Sequence, residues 1–314
     1  MPRRRRRAKR GFNPKRFFKD YPIVPILAVV FVLGIWAGFG LGRKSLEWKG
    51  IAQSVVGKAP VAQVAIPKPM PKRVEQVKVV PEEKISQLFP RPVEAAPRIA
   101  FVIDDLGYNK HHEELLFSID RPLTLAILPQ LAYSDYFAKE GKKRGFETIL
   151  HLPLEPDNEH DNPGPGVITV DMSPDEVRVI LKKNLATVPG VVGVSNHMGS
   201  RATRDLSLMY LLARELRAKN LIFLDSLTYP NSAGFAMARL AGTPTMKRDV
   251  FLDNQDDFDY ITRQIEEAAR VAKIKKQAVA IGHIRENTLR AIKEAIPSLE
   301  AQGIRLSTLK ELLS

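Results

Sequence analysis

The 314-residue chain has no cysteine. That excludes disulfides, thiolate nucleophiles and thiolate-ligated zinc, and it suits an oxidising compartment where a stray thiol is a liability. Between Tyr21 and Gly42, charge of either sign is missing. The apolar run Ile23–Leu41 is long enough to cross about 30 Å of hydrocarbon at about 1.5 Å per residue. It exceeds the roughly 7–15-residue core of a cleaved signal peptide, and it lacks the polar face that a soluble core helix needs. A transmembrane anchor is therefore expected at 21–42. A third deficit is hidden in the total. The formal net charge is +13, but residues 1–20 hold +9 and residues 43–96 hold +5, which leaves −1 for residues 97–314. The bulk of the chain lacks the basic field that phosphate binding requires, and no nucleic-acid partner is expected.

Residues 1–20 form a basic arm, with Arg3 to Arg7 in a run. Ten cations precede the apolar run and two, Arg43 and Lys44, follow it closely. The positive-inside rule then keeps the N-terminus cytoplasmic. The expected protein is a single-pass bacterial inner-membrane protein with its larger domain on the periplasmic or extracytoplasmic side. Residues 43–97 are rich in Pro, Val, Lys and Glu, with prolines at 60, 67, 69, 71, 81, 90, 92 and 97. Such a stretch favours extended chain and reads as a linker, with room for a short helix around Glu82–Leu88. The remaining residues, 98–314, are expected to form the folded domain.

That domain alternates short apolar runs with amphipathic stretches. Strands are expected at Ile99–Ile103, Thr124–Leu128, Thr148–Leu150, Val191–Val194, Leu221–Leu224, Thr245–Val250 and Ala278–Ile281, with a last one near Ile304–Ser307. Ser173-Pro174-Asp175-Glu176 is a capping box with proline at the first helical position, opening a helix to about Val188. Ser207–Lys219, Asp257–Lys273 and Glu286–Gln302 also have helical spacing. Strand–helix alternation means an α/β fold with a parallel sheet, as a barrel or a doubly wound layer.

Polar residues follow these strands in a regular way. Asp104 and Asp105 follow the first, and His151 and Glu155 the third. Asn196 and His197 follow the fourth, Asp225 the fifth, and His283 the penultimate one. Parallel strands place their C-terminal ends at one mouth, so these groups converge there. Two neighbouring carboxylates suit cation binding and proton transfer, and the histidines suit both as well. Taken singly, each has a plainer role: Asp105 as a cap or turn former, His151 or His283 as a packed histidine, His197 as a loop residue beside a Gly199 turn. Their convergence favours a shared metal or acid/base site. His111, His112 and His160 read as solvated.

These residues carry a resemblance. Ile103-Asp104-Asp105-Leu106-Gly107, Gly145 to Glu155 with His151-Leu152-Pro153-Leu154-Glu155-Pro156, Asn196-His197-Met198-Gly199-Ser200 and Ile281-Gly282-His283 resemble the motifs of the divergent polysaccharide deacetylase family. That family is a branch of the carbohydrate esterases with the NodB-type fold, and the likeness spans about residues 98–314. It implies a distorted (β/α) barrel and a divalent metal, usually Zn2+, used to remove N- or O-acetyl groups from a polysaccharide or peptidoglycan-like glycan. Matched position by position, Asp104 is the general base, Asp105 a metal ligand, His151 the first metal histidine and His283 the general acid.

Two departures stand out. Glu155 stands where ordinary family members have their second metal histidine. The Arg-x-Pro stretch that steadies the base is not evident, although Arg201 is nearby. Zinc takes three protein ligands and keeps one position open. His197 is the favoured third ligand, with Glu155 the other candidate or an orienting partner of His151. Asn196 has no counterpart in the ordinary family, and Asp225 is open to two roles, orienting His283 or binding a sugar hydroxyl. The expected function is a membrane-anchored, metal-dependent glycan deacetylase. The alternatives are a non-catalytic envelope module that binds glycan or protein on the same fold, and a metal-dependent hydrolase of another bond.

Overall fold

The computed structural model describes residues 96–314. The expected basic arm, the anchor at 21–42, the short helix at 82–88 and nearly all of the linker lie outside the described residues. Among the described residues, no helix is long and apolar enough to cross a membrane.

Nine strands form one sheet, and every pairing is parallel. They are β1 (Arg98–Leu106), β2 (Thr124–Ile127), β3 (Glu147–Leu154), β4 (Gly193–Met198), β5 (Ile222–Asp225), β6 (Thr245–Lys247), β7 (Val250–Phe251), β8 (Gln277–His283) and β9 (Arg305–Leu306). The main path runs β6-β5-β4-β3-β2-β1-β8-β7, with β9 beside β1. The strand expected at Thr245–Val250 is split in two. β6 pairs with β5 at one edge of the sheet and β7 pairs with β8 at the other. Only Arg248 and Asp249 separate them. The Arg248 amide donates to Asp225 O at 3.0 Å, and the next amide, Asp249, donates to Val279 O at 2.9 Å. One stretch of chain thus serves both edges, so the sheet must curl into a half-barrel.

Helices return the chain between strands: α1 (Glu113–Phe117), α2 (Ser134–Lys143), α3 (Pro174–Thr187), α4 (Leu206–Ala218), α5 (Gly234–Ala241), α6 (Phe258–Lys275), α7 (Glu286–Ala301) and α8 (Leu309–Leu312). The capping box at Ser173 is formed as expected, with the Glu176 amide on Ser173 Oγ and the Glu176 carboxylate on the Ser173 amide. Because α1 to α7 each follow the C-terminal end of a strand, their N-termini lie at the mouth and their C-termini at the base. Acids fill first turns, such as Asp135, Asp175, Asp259 and Glu286, and cations fill last turns, such as Lys142, Arg217 and Lys273. That distribution complements the helix dipoles.

Strand side chains alternate between faces, and the core divides accordingly. Ile99, Phe101 and Ile103 of β1 pack outward with helix residues such as Leu116, Phe137 and Leu289. Ala100 and Val102 pack inward with Ala126, Ile149, Leu224, Val279 and Ile281 from other strands. Leu309 and Leu312 of α8 join this inner cluster and plug the base. Buried Glu147, at the start of β3, holds α8 in place. It accepts hydrogen bonds from Leu309 N at 2.9 Å, Lys310 N at 3.1 Å and Thr124 Oγ1 at 2.8 Å.

Candidate metal centre

The inward rows run to the mouth and end in polar groups. Ala100 and Val102 lead to Asp104, Ile149 to His151, and Val279 and Ile281 to His283. On β4, outward Val194 puts Ser195 and His197 on the inward row. The register sets Asp104 beside His283 and His151 beside Ser195. Asp105 has the wrong parity for this cluster. In a regular strand it would face the helices. Instead it adopts φ 65° at an irregularity in the β1–β2 register, a left-handed conformation that aspartate tolerates better than most residues. The kink turns its carboxylate inward beside that of Asp104.

Asp105 then lies against three histidines. Its Oδ1 is 3.4 Å from His151 Nε2 and 3.0 Å from His197 Nδ1, and its Oδ2 is 3.6 Å from His283 Nε2. Asp104 Oδ2 is 3.5 Å from His151 Nε2. The rings of His151 and His197 meet edge to face at 4.9 Å. Gly199 closes the turn behind His197 with φ 90°, and a Cβ there would sit 2.7 Å from Leu154 Cβ, so only glycine fits.

The ring orientations are fixed from behind. His151 Nδ1 pairs with Ser195 Oγ at 2.8 Å, leaving Nε2 toward the cluster. His283 Nδ1 lies 3.0 Å from Asp253 Oδ1, and the His283 amide donates to Asp253 Oδ2 at 2.8 Å. Thr288 Oγ1 donates to the same carboxylate oxygen at 2.8 Å. Sequence reasoning named neither Ser195 nor Asp253. Ser195 was findable, since it precedes His197 by two on the same strand row. Asp253 lies beyond the short β7, whose boundaries the apolar pattern did not reveal.

Titration behaviour follows the same geometry. Burial pushes the Asp104 carboxyl well above the usual range, with the charges of Asp105 and Asp253 adding and Arg248 opposing. Burial also works to raise Asp105, but the facing nitrogens of His151 and His197 outweigh it and hold Asp105 well below the usual range. Burial lowers His151 to about 4, against the pull of Asp105, so its imidazole is neutral and can lend a lone pair at neutral pH.

The residues fit a divalent cation. Asp105, His151 and His197 bring one donor atom each to within 4.8 Å of one another. Asp104 Oδ1 and Asp105 Oδ1 are buried and, among the described residues, accept no aligned hydrogen bond, even with His197 Nδ1 close by. Buried carboxylate oxygens are normally paired or ligating. Two imidazoles and one carboxylate are a donor set for zinc and other borderline divalent ions.

Two expected residues, Glu155 and Asp225, stand elsewhere, and Asn196 lines the cleft without joining the cluster. Glu155 is four residues beyond His151, and in extended chain that is about 13 Å, too far to share an ion. Its Oε1 takes Arg201 Nη1 at 2.8 Å and its Oε2 takes Val170 N at 2.8 Å. It orients neither His151 nor the cluster, and Arg201 is thereby committed to it. Asn196 and Asp225 lie on outward rows. Asn196 Oδ1 accepts Ser226 N at 2.9 Å, and its Nδ2 donates to Met198 O and Thr228 Oγ1, each at 3.1 Å. Asp225 accepts Leu227 N at 3.0 Å, Ser232 Oγ at 2.7 Å and Phe235 N at 2.8 Å. Both brace the loop after β5, and the partner of His283 is Asp253. The cation facing Asp104 is Arg248, held by Ser226 O at 2.8 Å and Leu227 O at 3.0 Å and stacked 4.9 Å over Phe251. His111, His112 and His160 are exposed, as expected.

The cluster opens into a cleft of about 490 Å³, lined also by Pro156, Asp161, Ser200, Thr228 and Asn254. That is room for a sugar-sized group.

Residues 101–313 match the family model described as divergent polysaccharide deacetylase. An uncharacterized protein of Haemophilus influenzae is 34% identical over 207 residues, 65% of this chain and 73% of its own length. The uncharacterized protein YibQ of Escherichia coli is 32% identical over 204 residues, 65% of this chain and 64% of its own. In three dimensions, the crystal structure of an uncharacterized protein from Agrobacterium tumefaciens aligns with TM-score 0.67 at 22% identity, covering 70% of this chain and 91% of that one. This last likeness concerns the fold alone. The family match takes in every strand end that contributes to the cluster, and on that match the chain belongs to the divergent polysaccharide deacetylase family.

Proposed function

We propose that this protein is a metal-dependent deacetylase of an envelope glycan, built as a distorted (β/α) barrel and tethered to the inner membrane by residues 21–42 through the 43–97 linker. The observation that carries the catalytic part is the convergence of Asp105, His151 and His197, with Asp104 on one side and the His283–Asp253 pair on the other.

Asp105, His151 and His197 would hold the ion, most naturally Zn2+. When bound there, such an ion polarises an acyl carbonyl and makes a nearby water more acidic. Asp104 accepts the proton that water loses as its oxygen attacks the acetyl carbon. His283 donates a proton to the sugar nitrogen or oxygen as its bond to the acetyl carbon breaks, so acetate and a free amine or hydroxyl result. Asp253 holds the His283 ring so that Nε2 faces the cleft. Arg248 keeps a positive charge near Asp104, which favours its ionised, proton-accepting form. The curled sheet fixes Asp104, Asp105, His151, His197 and His283 on strand ends rather than on loops, which suits catalysis by positioning.

The test is acetate release by the full-length chain, metal-loaded, from N-acetylated and O-acetylated oligosaccharides. Release that falls by about 10²–10⁴-fold in Asp104→Asn, the usual range for a general base, supports the proposal. A metal-loaded chain that binds these oligosaccharides yet releases no acetate would replace it with the non-catalytic binding module.

A further inference from the structure

The base of the half-barrel carries a surface that the site does not use. α6 ends there in Lys273-Ile274-Lys275, followed by Lys276, and all four are exposed. Ile274 keeps 66% of its surface in solvent. Arg98 sits beside them, its amide on Lys276 O at 3.0 Å and its guanidinium on Glu311 O at 2.7 Å. That second bond links the end of α6 to α8, where Lys310 and Leu313 are exposed. Arg305 completes the group, its amide on Pro97 O at 2.9 Å. The chain therefore enters the domain through the middle of this surface.

Helix dipoles account for Lys273 and Lys275 at a helix C-terminus. They do not account for Arg98 and Arg305, which begin strands. Among the described residues, no carboxylate side chain pairs with Lys273, Arg305 or Lys310. Lys275 pairs with Asp249 at 2.7 Å, and Lys273 donates to Gln302 Oε1 at 2.7 Å. Two exposed aliphatic side chains beside Lys273, Arg305 and Lys310, none of them facing a carboxylate among the described residues, are what an anionic bilayer surface recognises: the cations meet phosphate and the apolar groups enter the headgroup layer. The acidic first turns of α2, α3, α6 and α7 lie at the opposite, mouth end, while Glu311 in the first turn of α8 sets one exposed acid beside Lys310 at the base.

We infer that the base of the domain, from the end of α6 across Arg98 to α8, docks on anionic phospholipid and turns the cleft away from the bilayer. The inference does not depend on the catalytic reading.

The absence of cysteine allows a direct test. Full-length chains carrying Ser314→Cys at the base or Glu159→Cys at the mouth are labelled with a fluorophore. They are placed with vesicles containing a quencher lipid, made either of phosphatidylcholine alone or of equal parts phosphatidylcholine and phosphatidylglycerol. Docking predicts quenching at 314, but not at 159, only in the phosphatidylglycerol vesicles. The quenching is lost near 1 M salt, where the Debye length is about 3 Å. Lys273→Glu with Arg305→Glu lowers the docked-to-undocked ratio by roughly fivefold or more for each cation reversed. Ile274→Ser, an exposed position with no packing role, weakens the quenching while leaving its salt dependence. Equal quenching at the two labels, or quenching at 314 that ignores lipid charge and salt, overturns the inference.

Discussion

Ser195→Ala separates a metal site from a merely packed histidine. Among the described residues, Ser195 Oγ is the sole partner of His151 Nδ1, at 2.8 Å, with Ser195 0% and His151 2% exposed. Removing the hydroxyl leaves a buried ring nitrogen unpaired, which costs about 1–3 kcal/mol of stability. If His151 Nε2 ligates an ion, the same change also loosens the ring, and loss of such a supporting bond weakens metal affinity by about 10–100-fold. The two effects are read separately, by denaturant unfolding of the metal-free chain and by competition titration with a zinc chelator. The account predicts both. A variant that loses stability but binds zinc within about twofold of wild type would refute His151 as a ligand, since a tenfold change corresponds to about 1.4 kcal/mol and is easily resolved.

Other consequences follow from the same contacts. Glu147→Ala strips acceptors from Leu309 N, Lys310 N and Thr124 Oγ1 and should cost about 3 kcal/mol in denaturant unfolding, by freeing α8 from the base. Asp253→Asn should lower kcat on an acetylated oligosaccharide by about 10²-fold with little change in KM, because it disturbs the aim of the proton donor rather than the cleft. Glu155→Gln should leave zinc affinity unchanged in the chelator titration, because its carboxylate is held by Arg201 and Val170. Weaker zinc binding in that variant would return Glu155 to the ligand set.

The sequence made the parallel α/β order and the list of polar strand ends legible, because apolar runs bounded by acids and histidines mark buried strands directly. It also carried more than the list. Alternation along each strand separates His151, His197 and His283, on inward rows, from Asn196 and Asp225, on outward ones. The same alternation would have misplaced Asp105, since the left-handed kink that turns it inward has no signature beyond an aspartate pair before glycine. Glu155 misled for a related reason: residues four apart meet across one turn of helix but lie far apart on a strand, and β3 runs through His151 to Leu154. The split of Thr245–Val250 was not legible, because a strand that changes partners midway keeps the same apolar pattern. Arg248 and Asp253 depend on that split and went unseen with it.

The central claim is that Asp105, His151 and His197 hold one divalent ion. Elemental analysis of the purified full-length chain, after zinc supply and removal of excess, tests it most directly. The account predicts one ion per chain in the wild type, loss in both His151→Ala and His197→Ala, and retention in Glu155→Ala. No bound ion in the wild type, or an ion kept by His197→Ala and lost by Glu155→Ala, would contradict it.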